Sequence, residues 1–167
     1  PRPEVIKAGP FQVQFVPISH SIPESSALII DTPAGRIVHT GDFKLDGTPV
    51  VGDAFDPVLW HQIANEGQGV KVLTCDSTNI FSPHPGRSEA LLANPILDWV
   101  MAQKGMVVAT TFASNIARLK TLAEAGKAAG REVVVLGRAM NTMLSTAHAS
   151  EVLDSFPPTI DVLDADS

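Results

Sequence analysis

The stretch I-S-H-S-I-P-E-S-S-A-L-I-I-D-T-P-A-G-R-I-V-H-T-G-D-F-K-L-D, residues 18–46, decides how the rest of this sequence is read. Residues 27–30 form an apolar, strand-like run, and Thr32-Pro33-Ala34-Gly35 suits a turn, because Pro33 presets its φ and Gly35 can take a positive one. Residues 36–40 then return antiparallel as the second strand of a hairpin. Two polar residues frame it. His20 precedes the hairpin and Asp42 follows it, after Gly41, whose missing side chain permits close backbone approach. Each lies just beyond a strand-like run, so an imidazole and a carboxylate can reach one edge of a sheet.

Working outward, residues 11–18 alternate Phe11, Val13 and Phe15 with Gln12 and Gln14, the period of a strand with one buried face. Residues 21–26, with Pro23 and three serines, read as a loop. Downstream, residues 46–69 are mixed, with a helix expected over 57–66 and Pro57 in its first turn. Asp31, Asp46, Asp53 and Asp56 read as turn residues. Residues 70–75 form a short apolar strand that ends in Asp76-Ser77-Thr78-Asn79, side chains that favour hydrogen bonds to nearby backbone. This is the third strand tip to bear an acid or a histidine.

Residues 81–87, with Pro83, Pro85 and Gly86, read as a linker, and the pattern then changes. Ser88 can cap a helix running to about Lys104. An apolar strand over 106–111, a helix over 114–129, an apolar strand over 132–136 and a helix over 138–154 follow. Helices alternating with fully apolar strands are the rhythm of a parallel sheet covered on both faces. Only two of its strands are visible, whereas such sheets usually have about 4 to 6, so this second unit reads as incomplete.

The chain has 167 residues, 44% of them hydrophobic, enough for a real core. Its net charge is −6 with 12 scattered basic residues, so no basic stripe advertises nucleic acid. No apolar run approaches the roughly 20 residues of a membrane span and no leader opens the chain, so cytoplasm is the expected compartment. The single Cys75 excludes an internal disulfide and reads as a small buried hydrophobe. The chain opens on Pro1-Arg2-Pro3 and closes on Asp164-Ala165-Asp166-Ser167, and both ends read as cut.

His20 alone reads more readily as an ordinary hydrogen-bonded residue than as a metal ligand, and the same holds for Asp42. Together they are of the ligand types that suit zinc or manganese. His39 reads as a brace of the strand edge or as a donor to a metal ligand. His61 and His84 read as surface residues, and Lys44 as a solvated lysine.

The runs S-H-S-I-P-E-S at 19–25, H-T-G-D-F-K at 39–44, C-D-S-T-N at 75–79 and T-F-A-S-N-I-A-R at 111–118 resemble, in order, the ribonuclease J family. These are nucleases of the metallo-β-lactamase fold that carry a β-CASP domain. The resemblance implies an α/β fold: part of an αββα metallo-β-lactamase sandwich over 1–85, as the C-terminal part of that domain's core, and the N-terminal part of a β-CASP domain over 86–167. It implies a metal-dependent ribonuclease, acting on RNA from the 5′ end and internally in RNA processing and decay, that hydrolyses phosphodiesters with a metal-bound hydroxide. His20 matches a terminal ligand and Asp42 a bridging ligand of two divalent ions, zinc or manganese. Asp76 matches the acid that orients a later histidine outside this chain, and Ser114, Asn115 and Arg138 fall where the β-CASP domain faces RNA. The resemblance further implies 5′-monophosphorylated RNA as substrate and a homo-oligomer, with no membrane partner.

The sequence also departs from that family. Its H-x-H-x-D-H motif, the source of most metal ligands, is absent, since the five histidines stand at 20, 39, 61, 84 and 148. Two ligands do not hold a dinuclear centre. The expectation is a middle segment that is inactive alone and leaves an apolar sheet face uncovered. Another β-CASP nuclease, of the messenger-RNA 3′-end or DNA-repair type, and a catalytically degenerate RNA-binding homologue are the rival readings.

Overall fold

A computed structural model of the chain describes residues 4–84 and 86–164, so Pro1-Arg2-Pro3, Pro85 of the expected linker and residues 165–167 lie outside the description. The described chain is a mixed α/β structure that divides into two units. One carries the sheet and runs to Gly86. The other starts at Arg87 and also takes in the short loops Ser21–Pro23 and Thr48–Gly52.

The sheet unit has strands β1 (Ile6–Ala8), β2 (Phe11–Pro17), β3 (Ser26–Thr32), β4 (Gly35–His39) and β5 (Val70–Thr74), in that spatial order. The first four pair antiparallel and β5 runs parallel to β4. A parallel neighbour needs a crossover, and helix α1 (Pro57–Asn65) lies within it. Asp56 caps that helix, accepting from Val58 N at 2.9 Å and Leu59 N at 3.1 Å, with Pro57 in the first turn where a missing N–H costs least. The expected hairpin is present, with Thr32 opposite Gly35 and Gly35 at φ +129°. A Cβ on Gly35 would sit 2.8 Å from Lys71 Cδ, so glycine meets a packing need there as well.

α1 covers one face of the sheet, where Val16, Ile29, Val38 and Ile63 form the core with Leu59, Trp60 and Val70 packed against it. The alternation in β2 predicts a buried face of Phe11, Val13 and Phe15. The register corrects this: Val16 is 2% exposed on the helix-covered side, and Phe11 and Phe15 are each 44% exposed on the other. Both faces of the sheet are apolar and α1 covers only one, which leaves Ile6, Phe15 and Val72 open to solvent. Cys75, expected in a buried strand, lies just past β5 and is exposed. Asp31 is not a turn residue but a strand residue of β3, paired with Arg36.

The second unit departs further from expectation. The helix expected over residues 88–104 breaks into a 3₁₀ turn, Glu89–Leu92, capped by Ser88, and helix α2 (Ala93–Met101). Pro95 is the reason. Its ring is tolerated in the first turn of an α-helix and not in the interior, so the α-helix starts two residues before it. Helix α3 (Ile116–Ala128) has Asn115 as N-cap and ends in a Schellman turn, with Gly130 at φ +70° and Arg131 N bonded to Gly126 O at 2.9 Å. Helix α4 (Arg138–Ala149) stops five residues before the expected Asp154. The same turn ends it, with Glu151 at φ +58° in the position glycine usually takes and Val152 N bonded to Ala147 O at 3.0 Å. No glycine marked that end.

The parallel sheet expected here is not formed: residues 106–111 and 132–136 make no ladder and are not strands. Apolar composition shows where a buried strand can go, but a strand exists only through a hydrogen-bonded partner. Met106, Val108 and Leu136 are exposed. Packing in this unit is helical instead, with Ile116, Leu119, Ala147 and Leu153 at its centre. Arg118 makes a two-pronged bond to Glu89, at 3.0 and 3.1 Å, and Arg131 donates to Gly105 O at 2.7 Å, to Val100 O at 3.3 Å and to Gln103 O, satisfying carbonyls in the last turn of α2 and just past it.

Candidate functional site

The strand register places the site. Pro17 at the end of β2 pairs with Ser26 at the start of β3, Leu28 pairs with His39 at the end of β4, and His39 pairs with Thr74 at the end of β5. The C-terminal ends of β2, β4 and β5 therefore lie at one end of the sheet. His20, Asp42 and Asp76 follow those three ends. An even number of reversals between β2 and β4 and a parallel step to β5 bring this about.

Local bonds hold the three loops. Ser19 binds the 42–46 loop three ways: its carbonyl accepts from Lys44 N at 2.7 Å, its hydroxyl accepts from Asp46 N at 2.9 Å, and the same hydroxyl donates to Lys44 O. Asp46, expected as an ordinary turn residue, is 5% exposed and lies 3.9 Å from Lys44 Nζ, and the half-buried Lys44 does not keep its solvated reading. Gly41 turns at φ +61°, where a side chain is strained, and a Cβ there would meet Ser26 O at 3.4 Å. Thr40 N continues the ladder to Thr74 O at 3.0 Å, and Thr40 Oγ1 accepts from Asp76 N at 3.1 Å. On the opposite face of the sheet His39 Nδ1 lies 2.7 Å from Thr74 Oγ1, a cross-strand brace.

The three candidate side chains differ in state. His20 is half-buried and Asp42 exposed, and neither has a hydrogen bond or ion pair among the described residues. Asp76 Oδ1 accepts from Thr78 N at 2.9 Å and Thr78 Oγ1 at 2.6 Å. The Thr78 hydroxyl and amide hold its carboxyl below the usual carboxylate range against a smaller opposing effect of burial, with lesser help from the nearby His20 ring and the Phe43 amide, and Asp76 stays ionised. The turn-forming habit of Asp-Ser-Thr-Asn thus acts on the residue's charge.

Imidazole and carboxylate suit a divalent cation in kind. They fall short in number: among the described residues no group of three or more His, Cys, Asp or Glu is placed to hold a metal ion. In the other unit, Asn115 spends its side chain capping α3, accepting from Arg118 N at 3.0 Å. Ser114 is half-buried beside it, and Arg138 is exposed at the start of α4. His61, His84 and His148 are exposed. Sequence reading passed over Ser19 and Thr40, although each adjoins a singled-out polar residue or its glycine and carries a hydroxyl that can both donate and accept.

A sheet that delivers an imidazole and two carboxylates to one end, followed in sequence by a β-CASP segment, defines the class: residues 104–166 match the β-CASP domain of ribonuclease J. Ribonuclease J of Sinorhizobium meliloti is 40% identical over 153 residues, 92% of this chain and 27% of that protein. Ribonuclease J 1 of Streptococcus pyogenes serotype M3 is 43% identical over 128 residues, 77% of this chain and 22% of that protein. Over the stretch it spans, the chain belongs to the ribonuclease J family, and it spans about a quarter of the length of these curated relatives. A crystal structure of a protein of unknown function from Enterococcus faecalis V583 shares the fold, with a TM-score of 0.66 and 20% identity over 99% of this chain and 41% of that one. No helix among the described residues is long and apolar enough to cross a membrane.

Proposed function

We propose that the full-length protein carrying this segment is a metal-dependent ribonuclease of the ribonuclease J type, in which the sheet unit is part of a metallo-β-lactamase domain and the helical unit part of the β-CASP domain. One observation carries the reading: His20, Asp42 and Asp76 stand at one end of one sheet, in a chain about 40% identical to curated ribonucleases J. His20 would hold one ion through its ring, and the Asp42 carboxylate would bridge that ion and a second, zinc or manganese. Two such ions, when bound, supply an activated water and positive charge against the phosphate. Asp76, kept ionised by Thr78, orients a histidine from elsewhere in the protein. Ser114, Asn115 and Arg138 contribute to the RNA-facing side of the β-CASP domain. The substrate is RNA, 5′-monophosphorylated, cut from the 5′ end and internally by a cytoplasmic homo-oligomer. The segment alone is inactive, because two ligands do not retain a dinuclear centre.

The test is cleavage and metal content of the full-length protein against its Asp42→Ala variant. Expected are RNA cleavage with little action on DNA of the same sequence, and a loss of about 100-fold or more in rate together with lost metal in the variant. Cleavage of DNA in preference to RNA, or a variant that keeps both metal and rate, overturns the proposal.

A further inference from the structure

We infer that Thr40 is a positioning residue whose hydroxyl fixes the peptide entering Asp42 against the peptide entering Asp76. The inference rests on the roles proposed above for those two acids. Thr40 is 7% exposed, and its single hydroxyl acts in both directions. It donates to Gly41 O at 2.7 Å and accepts from Asp76 N at 3.1 Å. The Gly41 carbonyl belongs to the peptide plane that ends at the Asp42 nitrogen, so the first bond sets how the chain leaves Gly41. The second sets the backbone of Asp76 itself. One oxygen thereby joins two loops that leave different strands.

The latch is separable from the fold around it. β4 and β5 are held by their ladder and by Thr40 N to Thr74 O at 3.0 Å, a backbone bond that a change of side chain leaves in place. The His39–Thr74 contact braces the same strand ends independently. Valine has the shape of threonine without the hydroxyl, so Thr40→Val removes both latch bonds and little packing. Serine keeps the hydroxyl. What the latch controls is the relative placement of two carboxylates, and a misplacement of this kind acts on the chemical step more than on substrate capture.

The experiment compares full-length Thr40→Val and Thr40→Ser with the parent in RNA cleavage, and follows amide hydrogen exchange at Asp76 and Thr40 in the metal-free proteins. Thr40→Val should lower kcat about tenfold or more with KM within about twofold. Thr40→Ser should restore kcat to within about threefold of the parent. Exchange at the Asp76 amide should speed up in Thr40→Val only, with the Thr40 amide still protected in all three. Parent-like kcat in Thr40→Val, or unchanged protection at Asp76, overturns the latch. A parent that does not cleave RNA counts against the proposed function, and the exchange measurement then decides the latch by itself. Thr40→Ala, read in the same way, replaces the valine variant if that one does not fold.

Discussion

The two ends of the sheet use similar residues in opposite ways. At the hairpin end Arg36 is nearly spent: it binds Asp31 through two nitrogens at 2.7 and 2.9 Å, Glu66 at 3.2 Å and the Ile63 carbonyl at 3.1 Å, tying α1 to the strands. At the other end, loops held by Ser19 and Thr40 present His20 and Asp42 with no bond or ion pair among the described residues. Charge at the first end is consumed in holding the fold. At the second end, beside the Lys44–Asp46 contact, neutral hydroxyls hold the loops that carry His20 and Asp42 and leave those two side chains open. The difference teaches that a side chain's chemistry alone does not mark a site; the partners left to it do.

The largest expected effect breaks the structural end. Arg36→Met keeps the aliphatic stem and removes every guanidinium bond, those to Asp31, Glu66 and the Ile63 carbonyl. The loss should be about 2 kcal/mol in urea unfolding, since charged hydrogen bonds stabilise by about 1.5 to 3 kcal/mol and solvent screens the outer partners. RNA cleavage per folded molecule should stay within about twofold, because no contact of Arg36 reaches the other end. A large fall in cleavage at parental stability would erase the division between the ends.

A smaller effect sharpens it through pH. The Arg36 hydrogen bond holds the Asp31 carboxyl below its ordinary range, against a smaller opposing effect of burial. A depressed folded pKa contributes stability that is fully present above the unfolded value of about 3.9 and is lost as pH falls through the folded value. Asp31→Asn should therefore cost less than about 1 kcal/mol near neutral pH, the pair being partly exposed, and the two proteins should converge in stability below about pH 4. A gap that persists at low pH would assign Asp31 a role other than this pairing.

The same contrast explains what was legible in the sequence. The hairpin, its turn, the Pro57 helix start and the order of strand tips were readable because each rests on local residues: Pro33, Gly35, Pro57, and apolar runs next to polar tips, whereas Asp56, read as a turn residue, proves to be the cap of that helix. The exposure of Phe11 and Phe15 was not readable, because alternation says that a strand has two faces and not which one a helix covers. The α4 end was hidden because Glu151 takes a left-handed turn that normally announces itself with glycine. Residues 106–111 and 132–136 have strand composition, and pairing depends on partners distant in sequence. At the site His20, Asp42 and Asp76 were visible as chemistry-bearing side chains. Ser19 and Thr40 were not, since their importance lies in bonds to loops 20 or more residues away.

The smallest expected effect is the most discriminating for the functional end. If Asp42 is held in reserve for a ligand, its charge contributes almost nothing to the metal-free fold. Asp42→Asn in chelator-treated protein should unfold within about 0.5 kcal/mol of the parent, the range of a surface substitution away from any partner. The isosteric amide keeps the shape, so a larger cost would mean that the carboxylate is already engaged in holding its own loop, as Asp31 is at the other end. Adding zinc or manganese should then separate the two proteins, because a ligand that binds only the native state raises its stability according to its affinity. Stabilisation equal in parent and variant would place the metal elsewhere and return Asp42 to the status of an ordinary exposed acid.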